Sequence, residues 1–455
     1  MVLRQRALAL AIAAGLAVGG CEASDPSDTG SPVDGAREES ANTAQGESGD
    51  AAAAGSAQCP ATSGGQPWSD EPSTELVTLS DGSDGLAVRA AVYPRPDYEG
   101  DPWSQWGQGV VLDDGRFISA IGDHLGPGGN SFIYEYDPSD DRLTQISDVL
   151  SLTDHEDGEW GYGKIHAQMV EGPCGEVYAA TYWGTVRDLS YEGNYRGDVL
   201  LRLDPAQRTI KNMGVIAEEH GVPSMAGWAE GGLLYAEAAN PELFDPQRGM
   251  FVALDMATGE QVFTTPDDED HRGFRAMAVD GQGRVLFSRT DGRLARWDPA
   301  SGQLSDLDVT LSGDFLRAAT PPGPDGTVYL ATQDPDMLFA LDADGELREL
   351  GELAGYTASL AMAPDGSRLW YVPHAHGGAA EVGTPVIEVD TASGEQRTIV
   401  ELDPLARPVL GLSLGGTYNV AVDAAGSTLY LGMNAGDGAE GESFGEVVLV
   451  IVELE

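Results

Sequence analysis

The sequence predicts an all-β fold, a seven-bladed β-propeller closed by strand exchange between its N- and C-terminal parts and preceded by a disordered tether. Two interleaved turn signals carry this prediction. One returns six times, at Asp137-Pro138-Ser139, Asp204-Pro205-Ala206, Asp255-Met256-Ala257-Thr258-Gly259, Asp298-Pro299-Ala300-Ser301-Gly302, Asp342-Ala343-Asp344-Gly345 and Asp390-Thr391-Ala392-Ser393-Gly394. The other stands at Asp114-Gly115, Cys174-Gly175, Gly231-Gly232, Gly281-Gln282-Gly283, Asp325-Gly326, Asp365-Gly366 and Ala425-Gly426. Two hairpin turns per unit, repeating every ~40–60 residues, mark a propeller built from blades of four strands. A third observation agrees: no long amphipathic helical period competes with the short β-type runs.

Taken in chain order, residues 1–20 read as a signal peptide. Arg4 and Arg6 precede the apolar run Ala7 to Val18, which is too short to span a bilayer as a permanent helix. Val18-Gly19-Gly20-Cys21 has the form of a lipoprotein box, so cleavage before Cys21 and acylation of its thiol are expected. Residues 21–65 are Ser, Asp, Glu, Ala and Gly with almost no large apolar side chain. Such a segment buries too little surface to offset chain entropy and is expected to be a flexible tether to the lipid. This places the protein in a bacterial cell envelope, periplasmic or surface-exposed, touching the membrane only through its anchor.

Residues 66–455 form the propeller, with its globular part expected from about Glu75. Runs such as Val177-Tyr178-Ala179-Ala180, Val328-Tyr329-Leu330-Ala331 and Leu369-Trp370-Tyr371-Val372 follow the first turn of a unit and are second strands. Val199 to Leu203, Phe251 to Leu254, Leu294 to Trp297 and Leu338 to Leu341 precede the Asp-led turn and are third strands. The last unit offers only Tyr418 to Val422, Thr428 to Gly432 and Val447 to Leu454, so its fourth strand must come from the N-terminal side. Either Leu76 to Leu79 or Leu86 to Val92 supplies it and removes an open sheet edge. Cys59 and Cys174, the two cysteines besides Cys21, are expected to pair in an oxidising compartment. The bridge would pin the segment before the closing strand to the face opposite the funnel.

Charge limits the partners. The chain carries 74 acidic and 25 basic residues, a net charge of −49, which repels phosphate backbones and anionic lipid, so no nucleic acid is expected. Absent too are a Gly-x-Ser-x-Gly elbow, a phosphate-binding glycine loop and paired Cys/His spacing for structural zinc.

Function in a propeller sits in the central funnel. Counting back nine residues from each first-turn glycine gives one position per blade: Trp106, His166, Pro223, Phe274, Arg317, Thr357 and Thr417. The ends of the second strands add Asp123, His124, Tyr182, Trp183, Asn240, Thr290, Asp291, Gln333, Asp334, His374, His376 and Asn434. His166, His374 and His376 are candidate ligands for a divalent metal, with Gln333, Asp334 or Asp291 completing an open coordination sphere. Trp106, His124, Tyr182, Trp183, Asp291, Arg317, Gln333 and Asn434 are the candidate ligand-binding set. Arg317 and Arg275 suit a carboxylate, since a guanidinium presents a fork of donors to two oxygens.

The phrase Ala361-Met362-Ala363-Pro364-Asp365-Gly366-Ser367-Arg368-Leu369-Trp370-Tyr371-Val372 resembles the blades of a broad propeller group. That group includes NHL-repeat, gluconolactonase-like, streptogramin-lyase-like and oligogalacturonate-lyase-like proteins. Lys164-Ile165-His166 and His374-Ala375-His376 resemble the imidazole-lined funnel of the oligogalacturonate-lyase type, where a metal acidifies a sugar carbon. The resemblance therefore implies a binder or an enzyme. The reading favoured is a monomeric binding module whose funnel face takes a protein, a glycan or a small anionic ligand. The alternative is a metal-assisted lyase or lactonase acting on an acidic sugar.

Overall fold

The computed structural model describes residues 58–60, 64–83, 85–156, 158–182, 195–239, 249–266, 269, 275–313, 315–437 and 444–454. Cys21 lies outside them, as do Trp183, Asn240 and Phe274. No helix among the described residues is long and apolar enough to cross a membrane.

The strands form seven antiparallel sheets, one per predicted unit. The turns explain the repeat. In the first turn of blades 1, 4, 5 and 6 an aspartate carboxylate accepts the amide two residues on, as Asp114 does from Arg116 at 3.1 Å and Asp365 from Ser367 at 2.9 Å. Each of these turns also holds a left-handed glycine, with φ 84° at Gly115, 75° at Gly283 and 74° at Gly366, a conformation that costs glycine little. The second turns use the same carboxylate-to-amide bond, two residues on at Asp137, Asp298 and Asp342 and three on at Asp390.

Blades 3, 4, 5 and 6 each have four strands, with outer strands Gln261–Thr264, Gln303–Thr310, Leu347–Glu352 and Gln396–Glu401. Blades 1, 2 and 7 have five, because the N-terminal segment runs along their outer edges. It contributes β1 (Gln66–Pro67), β2 (Ser73–Glu75), β3 (Val77–Asp81) and β4 (Ala87–Val92). β1 pairs with Thr209–Val215 of blade 2, and β2 with Arg142–Asp148 of blade 1. β4 pairs with the C-terminal strand Glu446–Glu453 in blade 7, Val88 opposite Val452, and β3 covers β4. Both candidate closing runs are thus used. The more apolar one is the fourth strand and the other a fifth, so Leu76 to Leu79 does not close the ring. The fold also begins ahead of Glu75, since β1 and β2 already belong to sheets.

Cys59 and Cys174 are bonded, with Cα atoms 5.7 Å apart. Cys174 sits in the first turn of blade 2, on the face away from the funnel, and the bridge holds the chain just ahead of β1. Seven apolar clusters hold the ring together, each joining two neighbouring blades. One packs Ile118 and Ile133 of blade 1 on Val177 and Leu201 of blade 2, and another closes the circle with Tyr430 and Leu449 of blade 7 on Phe117 and Tyr136 of blade 1. Burial of these side chains is the main stabilising term.

Candidate functional site

The innermost strands place one cluster at the mouth of the ring. Trp106 of blade 1 is buried and stacks on His124, ring centroids 4.6 Å apart, and on Phe444 at 5.7 Å. The ammonium of Lys164, from blade 2, lies 4.0 Å over the Trp106 ring. Arg275 precedes the inner strand of blade 4, Ala278–Val279. Its Nη1 donates to the Trp106 carbonyl at 2.7 Å, and its guanidinium carbon lies 4.1 Å over the ring of Tyr418 in blade 7. Two blades separate blade 4 from blade 1 on one side and three on the other, so this bond crosses the propeller axis. Arg275 is the floor of the funnel. Arg317 of blade 5 lies over Phe315 at 3.9 Å and Tyr356 at 5.3 Å, so every cation here rests on an aromatic face.

His166 stands among these charges. It is buried, its Nδ1 bonds the Pro223 carbonyl at 2.7 Å, and its ring lies 5.0 Å from Tyr182. Burial and the nearby Arg275, Lys164 and Arg317 hold its pKa well below the usual imidazole range, so the ring is neutral at pH 7. Lys164 also acts electrostatically on Asp123, whose carboxylate organises the blade 1 loop by accepting from Tyr98 Oη at 2.5 Å and from the amides of Leu125 and Asn130. Burial pushes the Asp123 pKa up against those stabilising bonds. Asp336 is likewise raised, by burial first and Asp334 next, while His374 and Arg317 oppose the shift.

Among the described residues no group of three or more His, Cys, Asp or Glu side chains is placed to hold a metal ion, and the candidate ligands His166, His374 and His376 each have other contacts. His166 Nδ1 is engaged with Pro223, His376 Nδ1 bonds the Tyr418 hydroxyl, and the His374 ring packs on Gly355.

The ligand-binding candidates divide. Trp106, His124, Tyr182 and Arg317 lie in or beside the cluster. Asp291 instead pairs with Arg293 at 2.6 Å in the tight second-to-third strand turn of blade 4, and Gln333 donates to Asp334 at 3.2 Å. Asn434 faces the wall, its amide bonding both the N–H and the carbonyl of Gln105 at 2.8 and 3.0 Å and so stapling blade 7 to blade 1. Five participants are not reached by counting back from the turns: Lys164, Arg275, Tyr356, Tyr418 and Phe444. Lys164 had a signal, being one of two lysines in the chain and two residues before His166.

No protein-family model matches the chain, and no curated protein matches it. Solved structures do match. The structure titled U3-55K aligns with a TM-score of 0.51 at 10% identity, over 80% of this chain and 98% of that one. Selenomethionine-substituted virginiamycin B lyase from Staphylococcus aureus aligns with a TM-score of 0.50 at 10% identity, over 80% of this chain and 99% of that one. The match establishes the fold. At this identity a shared propeller says nothing of a shared reaction.

Proposed function

We propose that the chain is an exported, lipid-anchored binding module whose funnel face takes an anionic ligand. The single observation that carries this is the gathering of Lys164, Arg275 and Arg317 around the neutral His166, in a chain of net charge −49. A cation cluster in so acidic a molecule concentrates positive potential at one place, and a funnel of low dielectric focuses it. The aromatic rings Trp106, Tyr356, Tyr418 and Phe444 supply flat apolar surface beside those charges, suited to a sugar or other planar ring. A metal-assisted reaction has no comparable support, because the imidazoles are not assembled into a ligand set.

The test is titration of the full-length protein with sodium salts of small acids, followed through tryptophan fluorescence. Binding should weaken as ionic strength rises and should fall about ten-fold or more when Lys164→Met and Arg317→Gln are combined. An unchanged affinity in that double variant would place the anion elsewhere. Anchoring is tested separately: Cys21→Ser should move the protein from the membrane fraction to the soluble exported fraction.

A further inference from the structure

Arg275 and Arg289 are buried alike, 9% and 7% exposed, and differ completely in their partners. Arg289 spends its guanidinium on two carboxylates, Glu269 at 2.5 Å through Nη1 and Asp306 at 2.9 Å through Nε. Arg275 has no carboxylate among the described residues. Among the described residues its one hydrogen bond is from Nη1 to the Trp106 carbonyl, its Nε is buried with no hydrogen-bond partner, and Nη2 makes none.

Nε–H and Nη2–H are parallel donors on one edge of the guanidinium, spaced to meet the two oxygens of a carboxylate. Three other arginines fill this edge with the protein's own acids. Arg116 gives Nε and Nη2 to Asp114, both at 2.9 Å, and Arg397 gives the same pair to Glu388 at 2.8 and 2.7 Å. Arg407 does so with Asp403 at 3.2 and 3.0 Å. Among the described residues Nε is also unbonded at Arg89, Arg296 and Arg317, but those side chains are half-buried, whereas Arg275 is buried, and there lack of a counter-charge is costly.

We propose that this edge of Arg275 is a carboxylate site, and that the ligand is a ring-bearing monocarboxylate, its carboxylate seated on Nε and Nη2 and its ring toward the partly exposed Tyr356 and Phe444. The proposal rests on the anion-binding reading above and narrows it. A single negative charge suits the site because the flanking cations already have acids in electrostatic range, Asp123 near Lys164 and Asp336 near Arg317, leaving Arg275 as the local excess. Placement on the axis also limits the site to one ligand per propeller.

Calorimetric titration of the full-length protein with benzoate, glucuronate and inorganic phosphate tests this. The expected result is that at least one of the two ring monocarboxylates binds about ten-fold or more tighter than phosphate, with one site per chain. Arg275→Lys keeps the charge and loses the fork. It should weaken the carboxylate about ten-fold while leaving phosphate within about two-fold, with an unchanged circular dichroism spectrum. Phosphate binding as tightly as both carboxylates, or carboxylate binding indifferent to Arg275→Lys in a folded variant, overturns the Arg275 assignment and leaves the funnel an anion site. Failure of all three anions to bind the unaltered protein overturns the funnel reading itself. Should Arg275→Lys not fold, Tyr418→Leu, which removes the ring beneath the guanidinium, must weaken benzoate or glucuronate more than phosphate, or the proposal is lost.

Discussion

Blades 7, 1 and 2 wear a fifth strand and blades 3 to 6 do not, and the difference shows what an added strand does to the one beneath it. In blade 7 the fourth strand, β4, buries Val88, Ala90 and Ala91 completely or nearly so. The fourth strand of blade 4, Gln303–Thr310, has no fully buried residue, and exposed positions alternate with half-buried Leu304, Leu307 and Val309. Sequence follows position. The covered strand is mostly apolar, Ala-Val-Arg-Ala-Ala-Val, while the open one carries Asp306 and Asp308, acids that discourage another chain from pairing with a bare edge.

The contrast is broken most severely by one charge placed in each of the two strands. Val88→Asp puts an unpaired carboxylate between β3 and the C-terminal strand and should cost about 3–5 kcal/mol, enough to abolish cooperative unfolding at 37 °C. Val309→Asp in the open strand should cost about 1 kcal/mol or less. Chemical denaturation of both variants decides, and equal losses would mean that the fifth strand shields nothing.

The bridge holding the start of β1 comes next. Cys174→Ser paired with Cys59→Ser should lower stability by about 2–4 kcal/mol. Hydrogen exchange should locate the change in Thr209–Val215 of blade 2 and leave the outer strand of blade 5 untouched. A uniform loss across all blades would contradict a local clamp.

A third comparison uses buried acids in adjacent blades. Asp198 of blade 2 accepts from Thr181 at 2.5 Å and from the Tyr195 hydroxyl, whereas Glu237 of blade 3 has Ser224 alone, at 3.1 Å. Burial raises the Glu237 pKa from 4.5 to about 8 and the Asp198 pKa from 3.8 to about 7. The folded state therefore holds these protons more tightly than the unfolded chain. Their stabilising contribution is full below about pH 4 and declines as pH rises through each folded pKa. Glu237→Gln cannot lose that proton, so relative to the unaltered protein it should gain stability between pH 5 and pH 8, seen as a rising difference in melting temperature. Asp198→Asn should gain less, because it gives up an acceptor for two hydroxyl donors. A pH-independent difference for Glu237→Gln would show that the carboxyl stays ionised.

The smallest effect is expected at the open edge of blade 4. Asp306→Ala removes ion pairs with Arg289 and Arg293, but its side chain is 39% exposed, so the change should be under about 1 kcal/mol and should shrink in high salt.

The two halves of the ring also differ in how readily the sequence discloses them. The turns were legible because their chemistry is local: an Asp carboxylate bonding an amide two residues on, then a left-handed glycine, needs only adjacent residues. Closure was half legible. The need for an N-terminal strand follows from three runs in the last unit, but the choice between two runs depends on pairing partners hundreds of positions away. The short β1 and β2, Gln-Pro and Ser-Thr-Glu, have no strand pattern at all, and only the neighbouring blade makes them strands. At the funnel, counting back from the turns found Trp106, His166 and Arg317 but landed on Thr417 beside Tyr418. A bulge between Thr417 and Val420 shifts that strand by a residue, which no turn spacing can reveal. Counting three imidazoles onto one face likewise does not say where their nitrogens are spent.

Closure by β4 carries a consequence for how the molecule is made. Val88 leaves the ribosome long before Val452, its partner, so each newly built chain must keep an apolar strand unpaired while seven units are synthesised. Blades 3 to 6 can form from neighbours in sequence as they emerge, but the ring cannot lock until the last strand is available. Assembly is therefore paced by its most distant contact. A truncated product lacking the final strand would keep an unsealed gap between its first and last blades, an apolar surface by which a quality-control protease can tell an unfinished propeller from a complete one.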